Sequence, residues 1–458
     1  MLTRRKGQTP LIILICLLGY FAACTKVPLL SDSTANTVLR LHGSNTIGAE
    51  LAPALVEGYL RKSGAKNIEK INGSVSDEVI IQAVLPGQST ASKVEIKAHG
   101  SDTAVKALEN EECDIGMLSR KLKSEEVQLL AAFGDMKSRG SENVIAMDGI
   151  AVIVNKSNPI QELSVHQIAQ IFTGEITEWS NVDERVRGEI NVYARDDKSG
   201  TFDTFKSLVL GKDKKLVKTA KRIEDSRELS DAVASDANGI GFAGLPYVGN
   251  TASVAVYEEG LQPLRPSAKS INARTYLLYR ELYFYLPQKN SNKMARELVA
   301  FALSDEGQDI VKEVGFVSQA LDTPDRTPKP VEAIRRGDIP SELAKIKDSY
   351  KECPTVFYFK SGSDELDNKS LDDFDRTERF FGRESVKEII LVGFADNTGT
   401  AAQNLELSKR RAESVAKAFK RVGREPDTVT GFGQEAPIRK NDTVEGRDKN
   451  RRVEIYYK

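Results

Sequence analysis

Apolar and polar positions follow the strand period in some segments of this chain and the helix period in others, and the pattern changes from one to the other several times. Three segments share one order: a short apolar run, a loop of Gly, Ser and Thr, and then a helical pattern. These segments are 38–64, 94–112 and 190–211. Strands that alternate with helices over so long a stretch predict an α/β architecture with parallel sheets, in which ligands lie at the carboxyl ends of strands.

Each of the three loops places hydroxyl groups at the start of a helix. Free backbone N–H groups and the helix dipole favour an anion at such a position. Arg195 lies four residues before Ser199, and Ser119 and Arg120 follow another apolar run, so guanidinium groups accompany the hydroxyls. Serine and threonine also cap helices without binding a ligand, and this is the alternative for any one loop. Three such loops together predict one anion site.

A different pattern fills the stretch from Leu391 to Gly423. An apolar run predicts a strand, a polar loop contains Asp396, and Thr400 with Gln403 fits a capping box at the start of a long amphipathic helix. Arg411 borders the apolar stripe of that helix. A carboxylate and a guanidinium in this arrangement could hold a zwitterion, and a surface ion pair is the alternative interpretation.

Composition narrows the function classes. The chain has 458 residues, 40% of them hydrophobic and 29% charged, with a net charge of −1, so it has room for two or three domains and no basic surplus for nucleic acid. His42, His99 and His166 are far apart, and the sequence has no HExxH, Walker A or GxSxG motif and no cysteine pair at zinc spacing. The sequence therefore predicts no catalytic residue, metal or cofactor.

The amino terminus has the pattern of an export signal. Arg4, Arg5 and Lys6 precede an apolar run from Leu11 to Phe21 that is short for a membrane span. The following FAAC resembles a bacterial lipobox, which implies lipidation of Cys24; cleavage of a simple signal peptide near Ala23 is the alternative. The mature chain would keep two thiols, predicted to be buried and free rather than paired: Cys113 and Cys353.

Several ordered motifs in the first three hundred residues carry a resemblance. GSNTIG, HGSDTAVKAL, CDIGMLSRKL, YARDDKSGTFDTF and GIGFAGLPYV resemble the PstS family of phosphate-binding proteins of ABC transporters. The resemblance implies a two-lobed periplasmic binding protein fold that closes over phosphate. The implied ligands are Thr46, Ser101, Ser119, Arg120, Arg195, Ser199, Gly200 and Thr201, with Ser44 as a weaker candidate.

One of these positions departs from part of the family. Arg120 stands where some members carry an aspartate that accepts the proton of hydrogen phosphate. A guanidinium cannot accept a proton, so Asp102 or Asp197 would have to take that role. Selectivity for phosphate over sulfate stays open at this point.

A second resemblance covers the C-terminal segment. GFADNTG, NLELSKRRAESV and GFGQEAPIRKNDTVEGRDKNRRVEI resemble the peptidoglycan-binding domain of the OmpA family, a small α+β fold. The resemblance implies that Asp396 binds the amino group, and Arg411 the carboxylate, of diaminopimelate in peptidoglycan. It implies supporting roles for Asn404 and Arg452.

These patterns predict a domain plan of five parts. They are a lipoprotein signal peptide (1–23), a polar tether (24–37), a PstS-like domain (38–321), a linker (322–354) and an OmpA-like domain (355–458). The predicted function is capture of inorganic phosphate, for uptake through an ABC permease or for retention, by a protein anchored to the outer membrane and to the wall. The alternatives are a soluble periplasmic protein, a structural or adhesive module, and a binder of sulfate or another oxyanion.

Overall fold

A computed structural model describes residues 35–75, 77–197, 199–211, 213–321, 339–360 and 363–458. The predicted signal peptide, Cys24, most of the tether and the first part of the linker lie outside the described residues.

The strands of the N-terminal part are short apart from one that is thirteen residues long. They are β1 (Asn36–Gly43), β2 (Lys66–Asn72), β3 (Glu78–Val84), β4 (Ser92–Lys97), β5 (Ile115–Leu118), β6 (Glu142–Val154), β7 (Glu162–Ser164), β8 (Asn191–Arg195), β9 (Lys221–Ile223), β10 (Gly239–Gly244), β11 (Ala252–Ser253), β12 (Ala255–Tyr257) and β13 (Tyr279–Tyr285).

Helices lie between these strands and, in two cases, after the last of them. They are α1 (Ala52–Lys62), α2 (Ser101–Glu109), α3 (Ser124–Leu129), α4 (Val165–Thr173), α5 (Gly200–Phe205), α6 (Ser226–Ala234), α7 (Ala268–Asn272), α8 (Lys293–Leu303) and α9 (Asp305–Val314). A π-helical turn, Ile47–Leu51, leads into α1, and another, Lys206–Leu210, extends α5.

One long strand joins two lobes. The strand order is β2-β3-β4-β1-β5-β13-β6-β10-β8-β9, with β11 also paired to β6. Residues 142–149 of β6 pair with β13, whereas residues 150–154 pair with β10. The sheet is mixed rather than purely parallel as predicted, because β13 brings the chain back to the first lobe and runs antiparallel to both β5 and β6.

The three predicted strand, loop and helix units are present. β1 leads through the π-helical turn into α1, β4 leads into α2, and β8 leads into α5. Buried aliphatic side chains of β1, β4 and β5 form the core of the first lobe with α1, α8 and α9. Phe205 and Phe242 stack in the second lobe with their ring centres 4.1 Å apart. The predicted fold class is therefore confirmed.

The C-terminal domain is a four-stranded sheet with helices on both faces. Its elements are α10 (Ser341–Ser349), β14 (Lys351–Tyr358), α11 (Asn368–Glu384), β15 (Ile389–Gly393), α12 (Ala401–Arg421), β16 (Thr428–Gly431), α13 (Val444–Asn450) and β17 (Arg452–Tyr457). The strand order is β14-β17-β15-β16. The α11 and α12 helices pack through buried aromatic side chains such as Phe381 and Phe419.

The described part of the predicted linker is folded. Leu343 and Ile346 of α10 pack against Val392 and Phe394 on the sheet, and β14 begins at Lys351. The short apolar stripe of α10 does not identify a domain element in the sequence, because the surface that it covers comes from β15 and β17, which are distant along the chain. The C-terminal domain thus begins before the predicted boundary at residue 355.

A buried charge cluster joins the C-terminal domain to the N-terminal part. Arg274 is 1% exposed and donates hydrogen bonds to both carboxylate oxygens of Asp367, at 2.7 and 3.2 Å, and to Ser370 Oγ at 2.9 Å. Its Nη1 lies 3.3 Å from Oε1 of Glu281. Burial would raise the pKa of Glu281, but the charges of Arg274, Lys449 and Lys121, with a hydrogen bond from Tyr283, together outweigh burial and lower the pKa to about 2.

The C-terminal domain contacts both lobes. Arg139, just before β6, pairs with Asp372 and Asp375 of α11, at 2.8 Å each. The backbone N–H of Lys440 donates to Glu258, just after β12, at 2.8 Å.

The two predicted thiols follow the sequence expectation. Cys113 and Cys353 are both buried and free. Burial raises the pKa of each thiol to about 12, so both are protonated at neutral pH.

Candidate functional site

Three loops of the first lobe, which follow β1, β4 and β5, are joined by hydrogen bonds at the carboxyl ends of these strands. The N–H of Gly100 donates to the carbonyl of Gly43 at 2.8 Å, and the N–H of Ser44 donates to the carbonyl of Met117 at 2.8 Å. Gly43 has a φ of +139°, and a Cβ atom there would lie 2.1 Å from the Met117 carbonyl oxygen. Only glycine allows this approach.

Two predicted ligands meet through their hydroxyl groups. Ser101 Oγ accepts a hydrogen bond from the backbone N–H of Ser119 at 3.1 Å and lies 3.2 Å from Ser119 Oγ. The sequence separates these serines by eighteen residues, and the parallel pairing of β1 with β4 and β5 brings their loops together. The structure thus places donors from different loops at one edge of the sheet, as predicted.

Thr46 belongs to a hydrogen-bond chain that reaches the second lobe. Its Oγ1 accepts from Nη2 of Arg280 at 2.6 Å, and Nε of Arg280 donates to Oδ2 of Asp148 at 3.2 Å. The hydroxyl of Thr204, in α5, donates to the same carboxylate oxygen at 3.2 Å. Arg280 on β13 and Asp148 on β6 are paired in register.

Sequence reasoning missed Arg280 and Asp148 because neither lies in a loop motif. The available signal was a charge inside an apolar strand: MDGIAVIV contains Asp148 and YRELYFY contains Arg280. Buried charges of this kind are costly without a partner and mark specific contacts.

The second-lobe loop contributes the remaining predicted ligands. Arg195 ends β8 and donates from Nη1 to the hydroxyl of Ser226. Among the described residues its buried Nε has no hydrogen-bond partner. Ser199 caps α5 by accepting from the Phe202 N–H at 3.4 Å, and Gly200 and Thr201 form the first turn of that helix.

Arg120 is held by carboxylates of its own lobe. Its Nη1 and Nη2 each donate to a different oxygen of Glu126 at 2.7 Å, and Nη2 also donates to Asp102. The hydrogen bonds from Arg120 to Glu126 are the largest of the influences that raise the pKa of Arg120 above its ordinary value. The predicted direct contact of Arg120 with an anion stays a prediction, and the structure shows its guanidinium engaged elsewhere.

The two aspartates predicted as proton acceptors also have arginine partners. Asp102 pairs with Arg120, and Asp197 pairs with Arg222. Both carboxylates are largely exposed, with side chains 78% and 87% accessible.

In the C-terminal domain, Asp396 lies in the loop after β15 and is buried. Its Oδ2 accepts from Nη1 of Arg451 at 2.6 Å, and its Oδ1 accepts from the N–H of Thr398 at 2.7 Å. Burial raises the pKa of Asp396, but these hydrogen bonds outweigh burial and hold the pKa below its ordinary value. The surface ion pair considered for Asp396 and Arg411 is therefore replaced by a buried pair of Asp396 with Arg451.

Arg411 is 3% exposed on α12, and its guanidinium carbon lies 5.5 Å from the ring centre of Phe359. Among the described residues, its Nε and Nη1 have no hydrogen-bond partner. Burial, with repulsion from Arg451, lowers the pKa of Arg411 to about 10. A buried guanidinium without a full set of acceptors costs free energy, which a bound carboxylate would offset.

The predicted supporting residues have different surroundings. Asn404 is buried on α12 and donates from Nδ2 to Gln434 at 2.8 Å. Arg452 is buried on β17, where Nε donates to Glu454 at 2.8 Å and the guanidinium lies 3.9 Å from the Phe394 ring centre. The adjacent Arg451, missed in the sequence, is the arginine that contacts Asp396.

Among the residues that the structure describes, no helix has the length and apolar character that crossing a membrane requires. Within the same ranges, no group of three or more His, Cys, Asp or Glu side chains could hold a metal ion.

The N-terminal part is thus a two-lobed α/β fold with polar loops at the strand ends, followed by a small α+β domain. Residues 54–306 match the family model described as a PBP superfamily domain, and residues 358–451 match the OmpA family. The chain belongs to the PBP superfamily and carries a C-terminal OmpA-family domain, which confirms both resemblances.

The N-terminal part is similar to individual proteins of known sequence or structure. The chain is 31% identical over 213 residues to a phosphate-binding protein PstS from Staphylococcus aureus, covering 45% of this chain and 63% of that protein. It is 28% identical over 263 residues to the phosphate-binding protein PstS of Borreliella burgdorferi, covering 55% and 90%. The crystal structure of PstS from Borrelia burgdorferi is 25% identical, with a TM-score of 0.46, and the match covers 62% of this chain and 99% of that one.

Proposed function

We propose that the N-terminal domain binds inorganic phosphate in the cleft between its lobes. The observation that carries this proposal is the convergence of three first-lobe loops, tied by the hydrogen bonds of Gly100, Ser44 and Ser119. Their hydroxyls, with Arg195 and the α5 start on the second lobe, form a set of donors suited to a tetrahedral oxyanion.

The donors are numerous enough for useful affinity. Micromolar binding needs about 8 kcal/mol, and each hydrogen bond to a charged group contributes about 1.5–3 kcal/mol before the cost of association is subtracted. The proposed ligands are residues that the family resemblance implies: Thr46, Ser101, Ser119, Arg195, Ser199, Gly200 and Thr201. Arg120, which the resemblance also implies as a ligand, donates to Glu126 and Asp102, so we propose an indirect role for it.

A second candidate ligand is sulfate, which is favoured by one observation. Asp102 and Asp197, the carboxylates expected to accept the proton of hydrogen phosphate, both have arginine partners. A site without a proton acceptor would not discriminate against the fully ionised anion.

Calorimetric titration of the mature chain with phosphate and with sulfate, at two pH values, tests both assignments. We expect phosphate to bind and to compete with sulfate. Absence of heat with phosphate would refute phosphate capture, and preference for sulfate at both pH values would move the assignment to the second candidate. The variant Arg185→Ala serves as a control because that side chain is 88% exposed.

We further propose that the C-terminal domain binds the diaminopimelate of peptidoglycan. Arg411 would receive its carboxylate through the N–H groups that lack partners, and Asp396, oriented by Arg451, would receive its ammonium. Asn404, which donates to Gln434, and Arg452, which donates to Glu454 on β17, would have supporting roles without contacting the ligand.

Sedimentation with purified sacculi tests this assignment. The variants Asp396→Ala and Arg411→Ala should remain in the supernatant, whereas Arg410→Ala, a substitution of the exposed neighbour on α12, should pellet with the parent. Pelleting of all variants alike would show that wall binding lies elsewhere.

The two activities together suggest a non-catalytic protein of the cell envelope. We propose export, lipidation at Cys24 and attachment to the periplasmic side of the outer membrane, with phosphate passed to a permease or retained near the wall. Palmitate labelling of the parent and of Cys24→Ala distinguishes this anchored form from a soluble periplasmic one.

A further inference from the structure

Arg280 contacts a proposed phosphate ligand from outside the loop motifs. It extends from β13, in the segment that connects the lobes, and its side chain is 13% exposed. Its Nη2 donates to Thr46 Oγ1 at 2.6 Å, and its Nε donates to Asp148 Oδ2 at 3.2 Å. One guanidinium therefore joins the first anion loop to the strand that runs through both lobes.

The direction of the first hydrogen bond matters for an anion site. A threonine hydroxyl has one hydrogen to donate and two lone pairs that accept. Because Arg280 can only donate, Thr46 Oγ1 is the acceptor in this pair, and its hydrogen stays available for a ligand. The oxygen atoms of an anion mainly accept hydrogen bonds. Because Arg280 donates to Thr46 Oγ1, the Thr46 hydroxyl is left to donate its hydrogen to the ligand.

The charge of Arg280 is balanced within the protein. Asp148 faces it in register on β6, and Asp148 also accepts from Thr204 of α5. A neutralised pair adds little net field at the cleft, in contrast to Arg195, whose buried Nε lacks a partner among the described residues. The influence of Arg280 on an anion would therefore pass mainly through Thr46.

We propose that Arg280 is a positioning residue of the anion site, which orients the Thr46 hydroxyl as a donor to the bound oxyanion. The inference rests on the proposed binding of phosphate. It assigns a role in ligand affinity to a strand residue outside the loops from which the ligands were drawn.

A double-mutant cycle with phosphate as the titrant tests this role. Lysine at position 280 keeps the charge opposite Asp148 but cannot serve two acceptors through a planar fork. We expect Arg280→Lys to weaken phosphate binding roughly fivefold, the effect of one hydrogen bond. In a Thr46→Val background the same substitution should have almost no effect, because the hydroxyl that it orients is absent.

A second cycle separates positioning from a general structural effect. Ser119→Ala removes a proposed ligand for which no contact with Arg280 is seen among the described residues, so the losses from Arg280→Lys and Ser119→Ala should multiply. Melting temperatures monitor folding. If Arg280→Lys does not fold, the double variant Arg280→Met, Asp148→Asn removes both charges together. This double variant would then replace Arg280→Lys in the cycles with Thr46→Val and Ser119→Ala.

The outcomes are distinct. If the parent binds phosphate and Arg280→Lys costs the same factor with and without Thr46, the positioning role is refuted while phosphate binding stands. If the parent gives no heat with phosphate, the proposed function fails and this inference fails with it. If Arg280→Lys weakens phosphate binding in the parent and in Ser119→Ala but not in Thr46→Val, the positioning role is supported.

Discussion

The two candidate sites of this chain differ in how many of their arginines already have carboxylate partners. In the N-terminal site, Arg120 and Arg280 donate to carboxylates of the protein, Arg195 keeps one buried N–H without a partner among the described residues, and the remaining donors are hydroxyls and amides. In the C-terminal domain, Arg411 is buried with two nitrogen atoms that lack partners among the described residues. The N-terminal site would thus share ligand affinity between Arg195 and many neutral donors, whereas the C-terminal site would concentrate it on Arg411.

The largest effect is expected for Arg411→Met. Arg411 is the arginine of the C-terminal site with two unpartnered nitrogen atoms among the described residues, so its loss should weaken binding to sacculi more than about a hundredfold. Charge-assisted bonds of a guanidinium fork to a carboxylate are among the strongest in proteins. Thermal stability should change little or rise, because a buried and incompletely paired charge is removed. Sedimentation and melting curves give both values, and Arg410→Met is the matched control.

A smaller effect is expected for Arg451→Met, which removes the partner of Asp396. The folded-state pKa of Asp396 is depressed, so the stability that this carboxylate contributes is present above its ordinary pKa of about 3.9 and is lost as pH falls through the lower folded value. Sacculus binding by the parent should therefore be constant from pH 7 to about pH 5. In Arg451→Met, the acid loss of binding should move upward toward neutral pH.

Identical pH profiles for the parent and Arg451→Met would show that Asp396 does not depend on Arg451. A Lys409→Met variant, changed on the exposed face of α12, controls for loss of a positive charge.

In the cleft, single hydroxyl deletions should have modest and cumulative effects. Ser101→Ala and Ser119→Ala should each weaken phosphate binding roughly fivefold, because each removes one hydrogen bond among many. These two serines contact each other, so the double variant should lose less than the product of the two single losses. A single hydroxyl deletion that abolished binding would contradict the distribution of affinity over many neutral donors.

The smallest effect is expected for Arg120→Met. Its guanidinium donates to Glu126 and Asp102, so phosphate affinity should fall less than about threefold. This change is smaller than the contribution of one partly exposed hydrogen bond. Calorimetric titration of Arg120→Met and Arg195→Met with phosphate compares the two losses of affinity. A loss as large as that of Arg195→Met would show that Arg120 turns from Glu126 to the ligand.

The elements of both domains could be predicted from local patterns. The capping box of Thr400 and Gln403 and the strand ends before each anion loop are visible within a few residues of sequence. The partners of the site residues could not be predicted, because Arg280 lies 234 positions from Thr46 and Arg451 lies 55 positions from Asp396. Sheet topology alone brings such residues together.

The packing of α10, inside the predicted linker, could not be predicted for a related reason. Leu343 and Ile346 give only a weak apolar stripe, and the packing partners of α10 on β15 and β17 are distant in sequence. The arginine pair at 451 and 452 illustrates the same limit, since adjacent residues near the start of a strand point in different directions and only one of them contacts Asp396.

The proposed function requires two separate binding sites in one chain, and a reciprocal test of Arg195→Met and Arg411→Met addresses this directly. Both variants would be titrated with phosphate and sedimented with sacculi under one set of conditions. We predict that Arg195→Met loses phosphate binding but still pellets, and that Arg411→Met binds phosphate as the parent does but stays in the supernatant. Loss of both activities in either variant, or of neither, would contradict the account.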